Sequence, residues 1–199
     1  MYSQQEEEKY ILEAVAGIEH GRVLDIGAWN PITFSNSRAL IEKGWDAILI
    51  EFSPLPVHDL LVEYGYNPKV TIIQAAMALE RGLINPDVTD DAVSTDNPEN
   101  LTTWKADPKT KFLGKLWVPS ITMDDVFNRF CGEQGFDFVS IDTEGSSVDL
   151  ALAFLKTEMF PKCYCIEHDK KTNDILSAAL QRGYRMAYWN DTNIVLALP

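Results

Sequence analysis

Short apolar runs alternate with helix-patterned stretches along this chain, and that alternation constrains the fold more than any other feature. Val23-Leu24-Asp25-Ile26-Gly27-Ala28 reads as a strand running into a turn, followed by a helix over residues 37–43 that Gly44 is suited to close. Ala47-Ile48-Leu49-Ile50-Glu51-Phe52 is a second run, Leu60, Leu61 and Tyr64 form a helical stripe, and residues 70–76 make a third run. A βαβαβ order of this kind implies a parallel sheet with helices on both faces. The second half repeats it: a strand within 136–145, a helix over 147–156, a strand over 163–169 and a helix over 173–183. Two closing runs, 184–190 and 193–199, flank Asp191-Thr192 and fit a terminal antiparallel hairpin. The fold expected is α/β: a doubly wound, mostly parallel, seven-stranded Rossmann-like sheet with a C-terminal antiparallel hairpin. Ahead of it, Ile11, Leu12, Val15 and Ile18 predict a helix ending near Gly17 or Gly21 and covering a sheet edge.

The 199 residues fit one domain spanning 1–199. Residues 85–112 break the rhythm with polar, turn-rich composition. They read either as a solvated insertion or as a lid over a site. After them, residues 118–127 resemble a short strand leading into a helix, with Thr122 as N-cap and Asp125 in the third position of a capping box. A net charge of −13 repels phosphate backbones and anionic lipid, so neither nucleic acid nor a membrane is an expected partner. Cys131, Cys163 and Cys165 are too few for a disulfide framework, and Cys163-x-Cys165 lacks the second pair of a zinc site. The N-terminus lacks the basic and apolar regions of a signal peptide and no run of 18 apolar residues occurs, so a cytoplasmic protein is expected. Oligomeric state is not legible.

In a doubly wound sheet the ligand crevice lies beyond the C-terminal strand ends, near the point where strand order reverses. Gly27 there lets backbone approach a ligand closely. Asp25 and Glu51 sit on the first and second strands, and a carboxylate ending the second strand can accept both hydroxyls of a ribose. A pyrophosphate cofactor needs the full G-x-G-x-x-G against bare backbone, whereas this turn offers Gly27 and then Trp29, Asn30 and Pro31. A nicotinamide-dependent oxidoreductase is therefore disfavoured. A cofactor with a ribose and a cationic tail suits the acidic surroundings better, and S-adenosylmethionine is such a molecule. Trp29, Trp104 and Trp117 can stack on a ligand or serve only as packing. His20 and His58 have no neighbours that point to ligation.

Asp142 and Glu144 are two apart, so on an extended strand end both point to one side, with Gly145 allowing a sharp exit and Ser146 or Ser147 capping the next helix. The following strand ends in Glu167-His168-Asp169. Two chemistries fit this group. Asp142, Glu144 or His168 can take the proton of a substrate hydroxyl as general base. Alternatively Asp142, Glu167 and Asp169 can hold a hard divalent cation such as Mg²⁺. For His168 a plain hydrogen bond to backbone is an equal alternative.

Taken together, residues 23–54, 118–127, 138–154 and 165–169 and the closing run from Gly183 resemble the FkbM-type family of S-adenosylmethionine-dependent methyltransferases, with Ile141-Asp142-Thr143-Glu144-Gly145 as the most specific signature. The resemblance implies a class I methyltransferase fold and O-methylation of a hydroxyl on a sugar or natural product, a small carbohydrate-like acceptor. Position by position, Asp25, Gly27 and Ala28 match the first-strand motif, Glu51 the ribose acid, and Asp142, Glu144 and Gly145 the D-x-E-G signature. Trp29 and Phe52, beside these, complete the candidate cofactor-binding set. The chain departs from the pattern at Asn30-Pro31, where the family commonly has a small or glycine-containing turn. That departure motivates the alternative of a non-catalytic binding module that keeps the crevice.

Overall fold

The computed structural model describes residues 1–131 and 134–199, with the Cys131 side chain outside the description. In chain order the elements are α1 (Glu7–Ala14), β1 (Arg22–Ile26), α2 (Arg38–Glu42), β2 (Asp46–Glu51), α3 (Pro54–Tyr64) and β3 (Val70–Gln74). Then come β4 (Ala76–Met77), β5 (Gly82–Ile84), β6 (Asp87–Thr89), α4 (Pro98–Ala106), β7 (Phe112–Lys115), β8 (Val118–Ile121) and α5 (Met123–Val126). The last part holds β9 (Phe138–Ile141), α6 (Ser147–Phe154), β10 (Cys163–Glu167), α7 (Thr172–Gln181), β11 (Arg185–Trp189) and β12 (Asn193–Ala197).

Seven strands form the main sheet in the order β11-β12-β10-β9-β1-β2-β3. β12 runs antiparallel to both neighbours, and the pairs from β10 to β3 are parallel. The sequence expectation of a doubly wound sheet with a closing hairpin is met. β1, β9 and β10 are almost wholly buried because helices cover both faces, which is why they read as continuous apolar runs rather than alternating ones. On one face Leu24, Ile26, Val139, Ile141 and Tyr164 pack with α6 and α7; on the other Val23, Leu49, Phe138 and Cys163 pack with α1, α2 and α3.

Some details differ from the sequence pattern. α1 stops at Ala14 and lies over β10, β11 and β12, so it covers a face of the sheet and not an edge. Its Glu7, fully buried, accepts the side-chain amides of Asn190 (2.6 Å) and Asn193 (3.1 Å) and so pins the helix to the start of β12. In α3, Leu60 and Tyr64 face the core while Leu61 stays exposed. Residues 85–112 are not one bare loop: they contain β6 and α4, and Val88, Thr89, Ser94 and Thr95 are buried. The expected capping box at the start of α5 is present, Thr122 Oγ1 accepting Asp125 N–H and Asp125 accepting Thr122 N–H.

β1 neighbours β2 on one side and β9 on the other, so the strand order reverses there. The tips of these strands approach so closely that a Cβ on Gly27, which has φ +80°, would stand 1.6 Å from the Asp142 carbonyl oxygen. Glycine is therefore required by chain-to-chain contact, a different reason from the close ligand approach expected from sequence. Gly27→Ala should destabilise the fold by about 3 kcal/mol or more, through displaced backbone and an unfavourable left-handed conformation. Urea denaturation of the two proteins checks this.

Candidate active site

A cavity of about 570 Å³ opens at the C-terminal ends of β1, β2, β9 and β10, within the range of small-molecule sites. One wall is the turn after β1. Its successive amides all point toward β2: Gly27 N–H and Ala28 N–H both donate to the Ile50 carbonyl (2.9 and 3.1 Å), and Trp29 N–H donates to Glu51 Oε2 (3.1 Å). Ser53 N–H donates to Glu51 Oε1 (2.7 Å). The turn thus has no free row of donors for a diphosphate, in line with its missing glycines. The Phe52 amide bonds the Glu51 carboxylate as well, so three of the four acceptor positions of its two oxygens are taken by backbone. Burial raises the Glu51 pKa, and the amide bonds oppose that rise.

Asn30 and Pro31 are accounted for by the same turn. Asn30 Oδ1 accepts the N–H groups of Ile32 (2.9 Å) and Thr33 (2.8 Å), an Asx-type closure, and the Pro31 carbonyl accepts the Tyr64 hydroxyl (3.0 Å). Trp29, at φ +41°, stacks on Phe34 with ring centres 5.9 Å apart, and both line the cavity with Phe52. Asp25 lies deeper, 3% exposed, accepting the Ser37 hydroxyl at 2.5 Å; burial pushes it up to about 6 against the lowering effect of Ser37 and Ser140. Asn36 Oδ1 and Ser53 Oγ, both on residues lining this wall, are buried oxygens with no partner among the described residues.

The opposite wall carries the acidic group. β9 ends at Ile141, and Glu144 adopts a left-handed φ of +50°, so strand alternation is not what aligns Asp142 with Glu144. The turn brings them together instead: Asp142, Glu144 and Glu167 each place one oxygen within 4.8 Å of the others. Ser147 Oγ donates to Glu167 Oε2 (2.7 Å), and Asp142 and Glu167 are hydrogen-bonded to each other. Burial first, and then the charge of Glu167, hold Asp142 well above the usual carboxylate range and push Glu144 up to about 8. Glu167 is raised too, by burial and then by Asp169. Such a group can hold a proton near neutrality, or surround a hard cation.

Two sequence candidates stand elsewhere. His168 is 4% exposed and lies outside the cavity lining: its Nδ1 accepts Lys170 N–H (3.1 Å) and its Nε2 faces the Asn190 carbonyl (3.0 Å). Both ring nitrogens are committed to backbone, which removes His168 as a base. Asp169, at φ +45°, is outside the cavity lining and the cation-competent trio, which has Glu144 in its place, but its charge still acts on Glu167 and Glu144. Trp117 is 65% exposed and also outside the lining, whereas Trp104 lines the cavity and bonds the Glu144 side chain.

Sequence reasoning missed Thr95 and Asn97. Thr95 Oγ1 donates to the Glu144 carbonyl (2.6 Å), and Asn97 Nδ2 donates to the Gly145 carbonyl (3.1 Å). The only local signal was Asn97-Pro98, a cap and first-turn pair that announces α4. Charge distinguishes the whole cavity: eight lining residues are Asp or Glu, and among the described residues none is Lys, Arg or His.

Three crystal structures are similar in outline. A precorrin-6y C5,15-methyltransferase from Geobacter metallireducens is 12% identical, with a TM-score of 0.48 over 99% of this chain and 92% of its own. A protein of the NADB-Rossmann superfamily from Streptococcus agalactiae is 11% identical, TM-score 0.48, over 100% of this chain and 69% of its own. TYW2 of M. jannaschii, in complex with AdoMet, is 13% identical, TM-score 0.45, over 99% and 76%. No curated protein sequence matches. The family model described as the methyltransferase FkbM domain matches residues 25–186, and the chain belongs to that family of S-adenosylmethionine-dependent methyltransferases.

Proposed function

We propose that this methyltransferase acts on a hydroxyl of an uncharged, carbohydrate-like small molecule, with Glu144 as the proton acceptor. The observation that carries the reading is the convergence of Asp142, Glu144 and Glu167 in the cavity that also holds Glu51. The residues fit S-adenosylmethionine. Glu51 would face the ribose hydroxyls with the acceptor position its three backbone amides leave, Asp25 and the unpaired oxygen of Asn36 would face the ammonium end, and Ala28, Trp29 and Phe52 would bound the adenosine. When bound, the cofactor supplies an electrophilic methyl group on a cationic sulfur, which the cationless lining accommodates.

Glu144 has the proton affinity for its task. A base works best when its pKa lies near the working pH, and burial has moved this carboxyl into that range. Its carboxylate accepts the hydroxyl proton, while Asp142 and Glu167, bridged to each other, orient the acceptor. Residues 85–112 would act as the cover of the site, supported by Asp91, Thr95, Asp96 and Trp104 in its lining. A hard cation among Asp142, Glu144 and Glu167 is the second reading, favoured by their mutual reach. Among the described residues no helix is long and apolar enough to cross a membrane, and a cytoplasmic setting belongs to this proposal.

Calorimetry should show saturable S-adenosylmethionine binding that Glu51→Ala weakens at least ~10-fold, about 1.4 kcal/mol; absence of binding to the unaltered chain removes the reading. Methyl transfer from radiolabelled cofactor should reach neutral polyols and not their phosphate esters, because the acid-lined cavity repels anions. Equal labelling of both would refute the acceptor class, and transfer lost to chelator and regained with Mg²⁺ would favour the cation reading. The resting chain offers a pH test. Glu144 titrates at about 8 when folded and near 4.5 when unfolded, so its contribution to stability is complete below the unfolded value and lost as pH rises through about 8. Scanning calorimetry of the ligand-free protein should show a melting temperature that falls across this window, with a smaller fall in Glu144→Gln.

A further inference from the structure

We propose that Thr95 and Asn97 are positioning residues that fix the Glu144 carboxylate in the site, making the folded segment 85–112 a working part of the machinery. The inference rests on the reading of Glu144 as proton acceptor. A glutamate at φ +50° adopts a conformation that side-chain-bearing residues keep only where their surroundings impose it. Here the imposing groups come from a distant stretch of chain. Thr95 Oγ1 takes the Glu144 carbonyl at 2.6 Å and Asn97 Nδ2 takes the Gly145 carbonyl at 3.1 Å, so two successive peptide groups after the Glu144 Cα are held.

Both donors are themselves anchored. Thr95 is 2% exposed and exchanges two backbone hydrogen bonds with Asp87 (3.0 and 3.1 Å), which places its hydroxyl on a fixed rung. Asn97 divides its amide: the oxygen caps α4 by accepting Glu99 N–H (2.9 Å) and Asn100 N–H (3.3 Å), while the nitrogen reaches Gly145. One side chain thereby ties the start of α4 to the signature turn, and α4 carries Trp104 to the Glu144 side chain. Gly145 also answers to this contact. It has φ +112°, and a Cβ there would lie 2.7 Å from the Asn97 Cβ, so the glycine of Asp142-Thr143-Glu144-Gly145 is shaped to receive the segment.

The test is ¹³C NMR of the full chain labelled at glutamate carboxyls, without ligand, the Glu144 resonance being assigned by its loss in Glu144→Gln. Thr95→Val removes the hydroxyl at constant size, Thr95→Ser keeps it, and Asn97→Ser keeps the helix cap but cannot reach Gly145. The expected result is a Glu144 resonance displaced toward that of a solvent-exposed glutamate in Thr95→Val and in Asn97→Ser, and at its original position in Thr95→Ser. An unmoved resonance in both of the first two overturns the proposal, as does a Thr95→Ser shift equal to that of Thr95→Val. If Thr95→Val does not fold, Asn97→Ser decides alone. Cofactor calorimetry on the unaltered chain reads the function separately: its failure would sink the methyl-transfer reading without altering this comparison.

Discussion

The site depends on the contact between two strand ends. Gly27, leaving β1, presses against the Asp142 carbonyl, and Asp142 N–H donates to the Ile26 carbonyl at 2.9 Å. That crossing locks the turn bearing Trp29 to the turn bearing Glu144, so the two walls of the cavity are one rigid unit. Glu51 extends the lock to β2 by accepting amides from Trp29 and Ser53. Side chains that must meet a ligand with sub-ångström tolerance thus hang from the ends of buried strands rather than from free loops.

The strands were legible because burial on both faces leaves a signature of its own. β1, β9 and β10 could be read from apolar runs with few charges, and the interposed helices from their apolar stripes; the βαβ alternation then implied a mostly parallel sheet, though not its strand order. Glu51 was legible for a similar reason, as an acid ending an apolar run. Asp142 and Glu144 were paired correctly but on a mistaken ground. A period of two places alternate residues together only while the strand continues, and β9 ends before either acid. What joins them is a left-handed turn, a conformation that sequence spacing cannot encode for a glutamate.

The same limit explains Glu167-His168-Asp169. Alternation would send Glu167 and Asp169 into the crevice together, yet β10 ends at Glu167 and the chain reverses through left-handed residues at Asp169 and Lys170. His168 is consumed by that reversal, its Nδ1 taking the Lys170 amide. Thr95 and Asn97 were illegible for a different reason. Their partners lie about fifty positions away, and a polar, turn-rich stretch shows nothing of what it closes upon. Asn30-Pro31, which from sequence looked like damage to a ligand turn, proves to be that turn's own closure.

Acids this crowded would not be retained for the fold alone. Removing carboxylates from water without cationic partners is costly, and the chain meets the cost by holding protons on Asp142 and Glu144. A positively charged ligand changes that balance. It stabilises the ionised forms by direct attraction in a region of low dielectric, so protons held by the resting chain become easier to lose when the cavity is filled. In the proposed reading, the cation that brings the methyl group therefore also favours the base form of Glu144, and the base is created chiefly where a cofactor is present to use it. A cavity with a lysine or arginine in its lining would keep these carboxylates ionised at all times, and the coupling between filling the site and readying it would be lost.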